Sequence, residues 1–155
     1  MLVIDSVKTR KHVEIARALF REYADSLGFD LSFQNFAQEL AELPGDYTPP
    51  GGRLYLAFEK GRPAGCIALR KISDEDCEMK RFYVCPLFRG KGVGKRLATL
   101  IIAEAREIGY KRVLLDTVPA MKRAISLYRA LGFKAIPAYR KNPVPGASFL
   151  ELYLP

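Results

Sequence analysis

The sequence has few of the side chains that build metal centres. It contains one histidine, His12, and three cysteines, Cys66, Cys77 and Cys85, which form no CxxC pair. One distant histidine cannot complete a ligand set with these thiols, so we expect reduced, structural cysteines and no bound metal. His12 lies in a charged stretch at the start of a predicted helix, where exposed side chains are common, and we assign it no catalytic role.

Long hydrophobic runs are missing as well. No apolar segment approaches the roughly 18 residues of a membrane-spanning helix, and the N-terminus lacks the apolar stretch and small-residue cleavage site of a secretory signal. There is no internal repeat, low-complexity tail or linker. The 155 residues, 49% hydrophobic and 27% charged, have the size and composition of one globular domain. We therefore expect a single cytoplasmic domain, residues 1–155, with no membrane partner.

Carboxylates are missing from residues 79–103, which carry six cations and so contribute +6 to a formal net charge of +8. A polyphosphate ligand explains this concentration of charge better than general solubility does, while a solvated basic helix start is the alternative. The six cations are Lys80, Arg81, Arg89, Lys91, Lys95 and Arg96.

Three glycines and two cations stand in the middle of that stretch, where residues 89–94 read Arg-Gly-Lys-Gly-Val-Gly. The loop joins an extended run that ends at Val84 to an amphipathic helical pattern that starts near Val93. Glycines let the backbone approach a ligand closely, and the first N–H groups of a helix lack intrahelical partners and carry the positive end of its dipole. The loop therefore predicts an anion cradle in which a pyrophosphate would fit.

Hydrophobic periodicity divides the chain into helices and strands. Helical spacing predicts two helices before the sheet, the second with Ser32 as its N-cap, and two later helices. Alternating apolar and polar residues predict an antiparallel meander first. A strand–helix–strand unit follows the meander, and it implies a parallel strand pair joined by a right-handed crossover. The predicted helices fall at 13–27, 33–43, 93–108 and 121–131, the strands within 54–84, at 113–115, from 133 and at 149–154, and a proline-rich loop at 139–146.

Two phosphate-binding motifs do not fit the glycine loop. A P-loop requires GxxxxGK[ST], but taking Gly94 and Lys95 as its Gly-Lys pair puts Arg89 at the first glycine. Arg96 then replaces the hydroxyl that binds the metal ion. A dinucleotide fold requires GxGxxG in its first βαβ unit, whereas these glycines run GxGxG and follow an antiparallel meander. Both alternatives are therefore poor.

The arrangement resembles the GNAT superfamily of acyl-CoA-dependent N-acyltransferases, whose signature [RQ]xxGx[GA] stands between a strand and a long helix. Arg89, Gly92 and Gly94 match this signature. Residues 124–133, Ala-Ile-Ser-Leu-Tyr-Arg-Ala-Leu-Gly-Phe, are similar to the family's closing segment, and the order of elements agrees through most of the chain. The resemblance implies an α/β (α+β) fold with a mixed, mostly antiparallel central sheet, a parallel splayed strand pair and flanking helices.

The same resemblance implies an activity. The protein is expected to move an acetyl group from acetyl-CoA to an amine of a small molecule or peptide, by direct attack in a ternary complex. The alternatives are a non-catalytic acyl-CoA sensor and, ranked last, a basic nucleic-acid-binding protein, for which no recognised motif is present. We expect no nucleic-acid partner, and a homodimer is a further expectation because dimers are common among relatives.

The resemblance also implies which residues bind acetyl-CoA. The strand before the signature would pair with the pantetheine arm, and backbone N–H groups of the loop would hold the pyrophosphate. Tyr128 falls where the family often has the tyrosine that protonates the coenzyme's sulfur, although it also fits the apolar stripe of its helix. Met121 replaces an asparagine common in relatives, which removes one side-chain contact to the coenzyme. The expected coenzyme residues are Phe82, Tyr83, Val84, Arg89, Gly90, Lys91, Gly92, Val93, Gly94 and Lys95, with the N–H near Val84 also facing the oxyanion.

The catalytic base is assigned to Glu78, near the start of the strand where several relatives carry one. A surface carboxylate that balances Lys80 is the alternative for this residue. Asp116 is a second candidate, which could instead bind a cationic acceptor or cap the next helix. Segments 29–36 and 139–145 are expected to build the acceptor pocket, and their aromatic residues and arginine favour an acceptor with an aromatic or carboxylate group.

Overall fold

The computed structural model of the protein describes residues 1–31 and 34–155. Within those residues, seven strands form one sheet in the order β1-β2-β3-β4-β5-β7-β6, and four α-helices flank it. The strands are β1 Leu2–Ser6, β2 Arg53–Glu59, β3 Arg62–Lys71, β4 Asp76–Val84, β5 Arg112–Thr117, β6 Lys134–Ile136 and β7 Ser148–Tyr153. The helices are α1 Arg10–Ser26, α2 Phe36–Glu42, α3 Val93–Ile108 and α4 Lys122–Ala130.

The sheet is antiparallel except between β4 and β5, which α3 connects. Those two strands pair only from Asp76 with Arg112 to Glu78 with Leu114, although β4 continues to Val84. The strands therefore separate and leave a gap inside the sheet, with the rest of β4 unpaired on that side. The expected mixed, mostly antiparallel sheet with a splayed parallel pair is confirmed.

A β-bulge in β4 accompanies this separation. The register with β3 shifts between Cys66, opposite Tyr83, and Ala68, opposite Lys80. Arg81 is the residue in this interval with a left-handed conformation, at φ 55°. A bulge bends its strand and increases the local twist. Both Lys80 and Arg81 consequently reach toward the residues around α2: Lys80 Nζ donates to Gln34 Oε1 at 3.1 Å, and Arg81 Nε donates to Glu39 Oε2 at 2.8 Å.

Helices α1 and α3 cover opposite faces of the sheet. Tyr55 of β2 bonds to Glu104 of α3, whereas the Tyr83 hydroxyl of β4 donates to Glu22 of α1 at 2.7 Å. The β3 partners of these two tyrosines, Ile67 and Cys66, are consecutive, and consecutive strand residues point to opposite faces. The side chains that pack between sheet and helices include the fully buried Ala16, Phe20, Leu56, Ile67, Leu69, Leu97 and Ile101.

Sequence periodicity located the later elements better than the first ones. The ends of α3 and α4 are confirmed, because Gly109 and Gly132 follow them with φ of 107° and 101°. The expectation that two helices precede the sheet is wrong: β1 comes first and pairs with β2 as an edge strand. The predicted N-cap Ser32 lies outside the described residues. Of the helices that the structure describes, none is long and apolar enough to cross a membrane.

Candidate active site

A groove of about 440 Å³, here called the glycine groove, lies between the end of β4 and the start of α3 on one side and the start of α4 on the other. Nine of the ten residues predicted to bind the coenzyme line it, and Lys91 is the exception. The nine are Phe82, Tyr83, Val84, Arg89, Gly90, Gly92, Val93, Gly94 and Lys95. The structure thus brings the predicted residues together, while their role in binding stays a prediction.

The loop geometry explains the glycines. Gly92, the residue before α3, has φ 82°, which favours glycine, and a Cβ built on it would project into open space. Gly94 lies so close to β4 that its Cβ would be 3.1 Å from Phe82 Cζ. The first N–H bonded within the helix is that of Arg96, to Gly92 O at 3.1 Å. The N–H groups before it therefore remain available to an anion.

The backbone of Val84 points into the gap between β4 and β5. The Cys85 N–H donates to Ala64 O of the β3 side at 2.8 Å, and successive residues of an antiparallel strand direct their backbone groups to opposite sides. Arg89 Nε donates to Val84 O at 2.9 Å, and its guanidinium lies 5.7 Å from the centre of the Tyr83 ring. Val84 therefore has the orientation that contact with a ligand in the gap requires.

Sequence reasoning missed the opposite wall of the glycine groove. Lys122 and Arg123, in the first turn of α4, line it together with Met121 and Leu127. Two adjacent cations at the start of a predicted helix were a usable signal, but they lie about twenty residues beyond the basic stretch 79–103 and were not connected with it. Positive side chains consequently flank the groove from both sides.

A second space, here called the tyrosine cavity, lies between the separated strands and has a volume of about 50 Å³. Tyr128, Asp116 and Lys80 line it, and Phe82 and Met121 line both this cavity and the glycine groove. The Tyr128 ring packs 6.1 Å from that of Phe82. Burial raises the pKa of the Tyr128 phenol, so it keeps its proton at neutral pH.

Glu78 lies outside the residues that line these two spaces. It is fully buried, and its Oε1 accepts from Arg70 Nε at 2.8 Å. Its Oε2 accepts from the Tyr139 hydroxyl at 2.7 Å and pairs with Arg140. Two cationic partners stabilise the ionised carboxylate. The surface-carboxylate alternative is wrong, and the assignment of Glu78 as the base stays a prediction.

A third space of about 350 Å³, here called the arginine pocket, opens beside α2. Its lining includes Arg70, Arg140 and Lys141, and both Lys80 and Gln34 line this pocket as well as the tyrosine cavity. Burial, together with the charges of Arg81 and Arg70, lowers the pKa of Lys80 to about 7. The three spaces are therefore neighbours: Phe82 and Met121 border both of the first two, and Lys80 and Gln34 border both of the last two.

Comparison with known proteins agrees with this architecture. Residues 13–133 match the model of the acetyltransferase (GNAT) family. An uncharacterized N-acetyltransferase of Schizosaccharomyces pombe is 36% identical over 96% of this chain and 93% of its own length. Among solved structures, a GNAT-family acetyltransferase of Staphylococcus aureus has a TM-score of 0.83 at 19% identity, with 100% of both chains covered. PaiA N-acetyltransferase of Thermoplasma acidophilum, solved in complex with coenzyme A, has a TM-score of 0.75 at 17% identity, with 99% of both chains covered.

The chain therefore belongs to the GNAT acetyltransferase family, and its Schizosaccharomyces pombe relative is named as an N-acetyltransferase. At least one protein with this fold binds coenzyme A. Within residues 1–31 and 34–155 there is no group of three or more side chains suited to hold a metal ion. The expectation that the protein needs no metal stays a prediction.

Replacing Gly92 by alanine tests the cradle. Gly92 lines the groove and has open space around a built Cβ, so an added methyl group would occupy space next to the proposed pyrophosphate, and Gly92→Ala should weaken coenzyme A binding at least tenfold in titration calorimetry. Gly61→Ala is the matched control, since Gly61 has φ 77° in the β2–β3 turn and open space around its Cβ. Both variants should lose about 1–2 kcal/mol of stability through the left-handed backbone. Equal coenzyme A affinity in the two variants would argue against the cradle.

Proposed function

We propose that the protein transfers the acetyl group of acetyl-CoA to the amine of a small molecule, with the coenzyme in the glycine groove. The observation that carries this proposal is the adjacency of the three spaces, because a coenzyme in the glycine groove and an acceptor in the arginine pocket would both border the tyrosine cavity between them. Backbone N–H groups at the start of α3 would hold the pyrophosphate, and Lys122 and Arg123 would add charge from the other wall. The thioester would then lie in the gap between β4 and β5.

The reaction proposed is direct attack in a ternary complex. The acceptor nitrogen forms a bond to the thioester carbonyl carbon, the carbon–sulfur bond breaks, and the nitrogen loses a proton. Val84 N–H would donate to the oxyanion, since the Val84 backbone is directed into the gap. Tyr128 would give its proton to the departing thiolate, because its side chain lines the cavity where the thioester would end.

Two residues of the tyrosine cavity suit the acceptor's amine. The Asp116 carboxylate would attract the ammonium form of the acceptor, and its Oδ2 is held by a 3.0 Å hydrogen bond from Asn142. Lys80, with a pKa near 7, is partly neutral at physiological pH and can accept a proton. Glu78 remains a proposal for the same role. Its oxygens, however, already accept bonds from Arg70 and Tyr139, which leaves less capacity for a substrate.

The remaining expectations complete the proposal. Residues 1–155 would act as one catalytic domain in the cytoplasm, without a metal, a membrane or a nucleic acid as partner. Homodimer formation stays a prediction. The acceptor pocket expected around residues 29–36 and 139–145 is supported by Phe29, Gln34 and Asn142 in the tyrosine cavity and by Arg140 in the arginine pocket.

Acetyl-CoA titration followed by turnover tests the function. A ligand that binds only the folded state raises its melting temperature, so acetyl-CoA and coenzyme A should both stabilise the protein. Release of free thiol from acetyl-CoA across a panel of amines should then exceed the rate without protein. Stabilisation without thiol release on any amine would favour the acyl-CoA sensor, and no stabilisation would remove the coenzyme assignment.

Tyr128→Phe should keep acetyl-CoA affinity within about twofold and lower kcat by about 10²-fold, because the phenol proton is lost while the ring contacts remain. Tyr110→Phe is the control: this buried tyrosine donates to Gly51 O at 2.7 Å and lines none of the three spaces. Steady-state kinetics and calorimetry measure both effects. Unchanged turnover in Tyr128→Phe would leave Tyr128 with a packing role.

The pH profile separates Lys80 from Glu78. As pH falls through 7, Lys80 gains a proton and can no longer accept one, so kcat/KM for the acceptor should fall below pH 7. This decrease, the acid limb of the profile, is additional to the decrease caused by protonation of the acceptor amine. The charged residues that act on Lys80 include Arg81, Arg70, Glu39 and Asp116. Lys80→Met should lower the rate by about 10²-fold and remove the limb.

Lys134→Met, an exposed change on β6, is the control for the pH experiment. If Glu78 is the base instead, Glu78→Gln will abolish the acid limb and Lys80→Met will retain it. That result would restore the assignment made from the sequence.

A further inference from the structure

Two arginines that line the arginine pocket share one buried carboxylate. Glu78 has no exposed surface, and it pairs with both Arg70 and Arg140. The side chains of these arginines are 32% and 21% exposed, so each is partly open to the pocket that it lines. One negative charge faces two positive charges, and the group as a whole keeps an excess of about one positive charge.

The guanidinium groups have donors to spare. A guanidinium carries five N–H donors, of which Glu78 takes the Nε donor of Arg70 and an Nη2 donor of Arg140. No buried side-chain N or O atom of the described residues lacks a hydrogen-bond partner, so the guanidinium donors left over are those that solvent reaches. These donors form a fork geometry suited to a carboxylate.

Other acids near the pocket do not neutralise this excess. Glu39 is engaged by Arg81 through two contacts of 2.8 Å. Glu42 and Asp46 also line the pocket, but both are exposed to solvent, which screens their charges. Burial and the nearby charge of Arg70 lower the pKa of Arg140 to about 10.

We propose that Arg70 and Arg140, held side by side by Glu78, form a subsite for a carboxylate of the acceptor, so that the acceptor is an amine of the amino-acid class. This inference rests on the proposed function, because it specifies the substrate of the same site. An acceptor of this class has its amine and carboxylate a few bonds apart. Lys80 and Gln34 border both the tyrosine cavity and the arginine pocket, so the amine can face the thioester while the carboxylate faces the arginines.

Glu78 is a positioning residue in this arrangement. It holds Arg70 from β3 and Arg140 from the loop before β7, and its bond from the Tyr139 hydroxyl fixes the same loop. The Arg140 guanidinium also lies 5.1 Å from the centre of the Tyr139 ring. Glu78 thereby orients two donors that come from separate elements of the fold.

The test compares amino acids with their carboxamides. L-Amino acids, including aspartate and glutamate, and the matching α-carboxamides are titrated by calorimetry into the protein saturated with coenzyme A, and thiol release from acetyl-CoA is measured with the same probes. We expect the free carboxylates to bind at least tenfold more tightly than the carboxamides. Arg140→Gln should remove this preference by raising the KM of carboxylate acceptors about tenfold or more, with little change in kcat or in acetyl-CoA affinity.

Further variants keep the outcome interpretable. Arg140→Lys keeps the positive charge but lacks the planar paired donors of a guanidinium, so it should retain part of the preference for carboxylates. Arg129→Gln, an exposed change on α4, is the control and should have no effect. Thermal denaturation checks that each variant is folded. Carboxamides that bind as tightly as carboxylates, no binding of any carboxylate probe, or an unchanged preference in Arg140→Gln would each overturn the subsite. Carboxylate-selective binding without thiol release from any amine would instead overturn the proposed function and leave the subsite supported.

Discussion

The separation of β4 from β5 is the constraint on which the rest of the structure depends. The two strands share three residue pairs and then part in the middle of the sheet, where unpaired backbone groups are normally satisfied by a neighbouring strand. The bulge at Arg81 bends β4 at this point, and the guanidinium of this left-handed residue pairs with Glu39 of α2. The gap is therefore built into the chain, and Tyr128 packs against Phe82 at its edge.

Buried charge on the α1 and α2 face of the sheet is organised in pairs. Arg81 is 3% exposed and Glu78 is fully buried, and breaking either set of contacts would leave a charge without compensation. The partners of each come from a different element, so the charges tie α2, β3 and the loop before β7 to the central strand. Lys80 is partly buried near these pairs and donates to the neutral Gln34, and burial together with the charges of Arg81 and Arg70 lowers its pKa.

The glycine groove could be predicted from the sequence because its signal is local. Arg89, Gly92 and Gly94 occur within six residues, and strand and helix patterns on either side determine where they lie. The surroundings of Glu78 could not be predicted, since its partners Arg70 and Tyr139 are 8 and 61 residues away and meet only through sheet pairing and a loop without periodicity. The bulge was also invisible, because arginine has no preference for a positive φ. Strand β1 was missed because five residues give too short a pattern.

The contact between Arg89 and the Val84 carbonyl has a thermodynamic consequence for the proposed complex. A pantetheine amide that takes the place of the guanidinium on this carbonyl displaces Arg89, which gives up its hydrogen bond. The freed cation lies at the rim of the glycine groove, where the coenzyme's phosphates would accept it. The pantetheine arm and the nucleotide of the coenzyme would therefore bind cooperatively, because each makes the contacts of the other more favourable. The binding free energies of the two separate fragments would add up to less than that of the whole coenzyme.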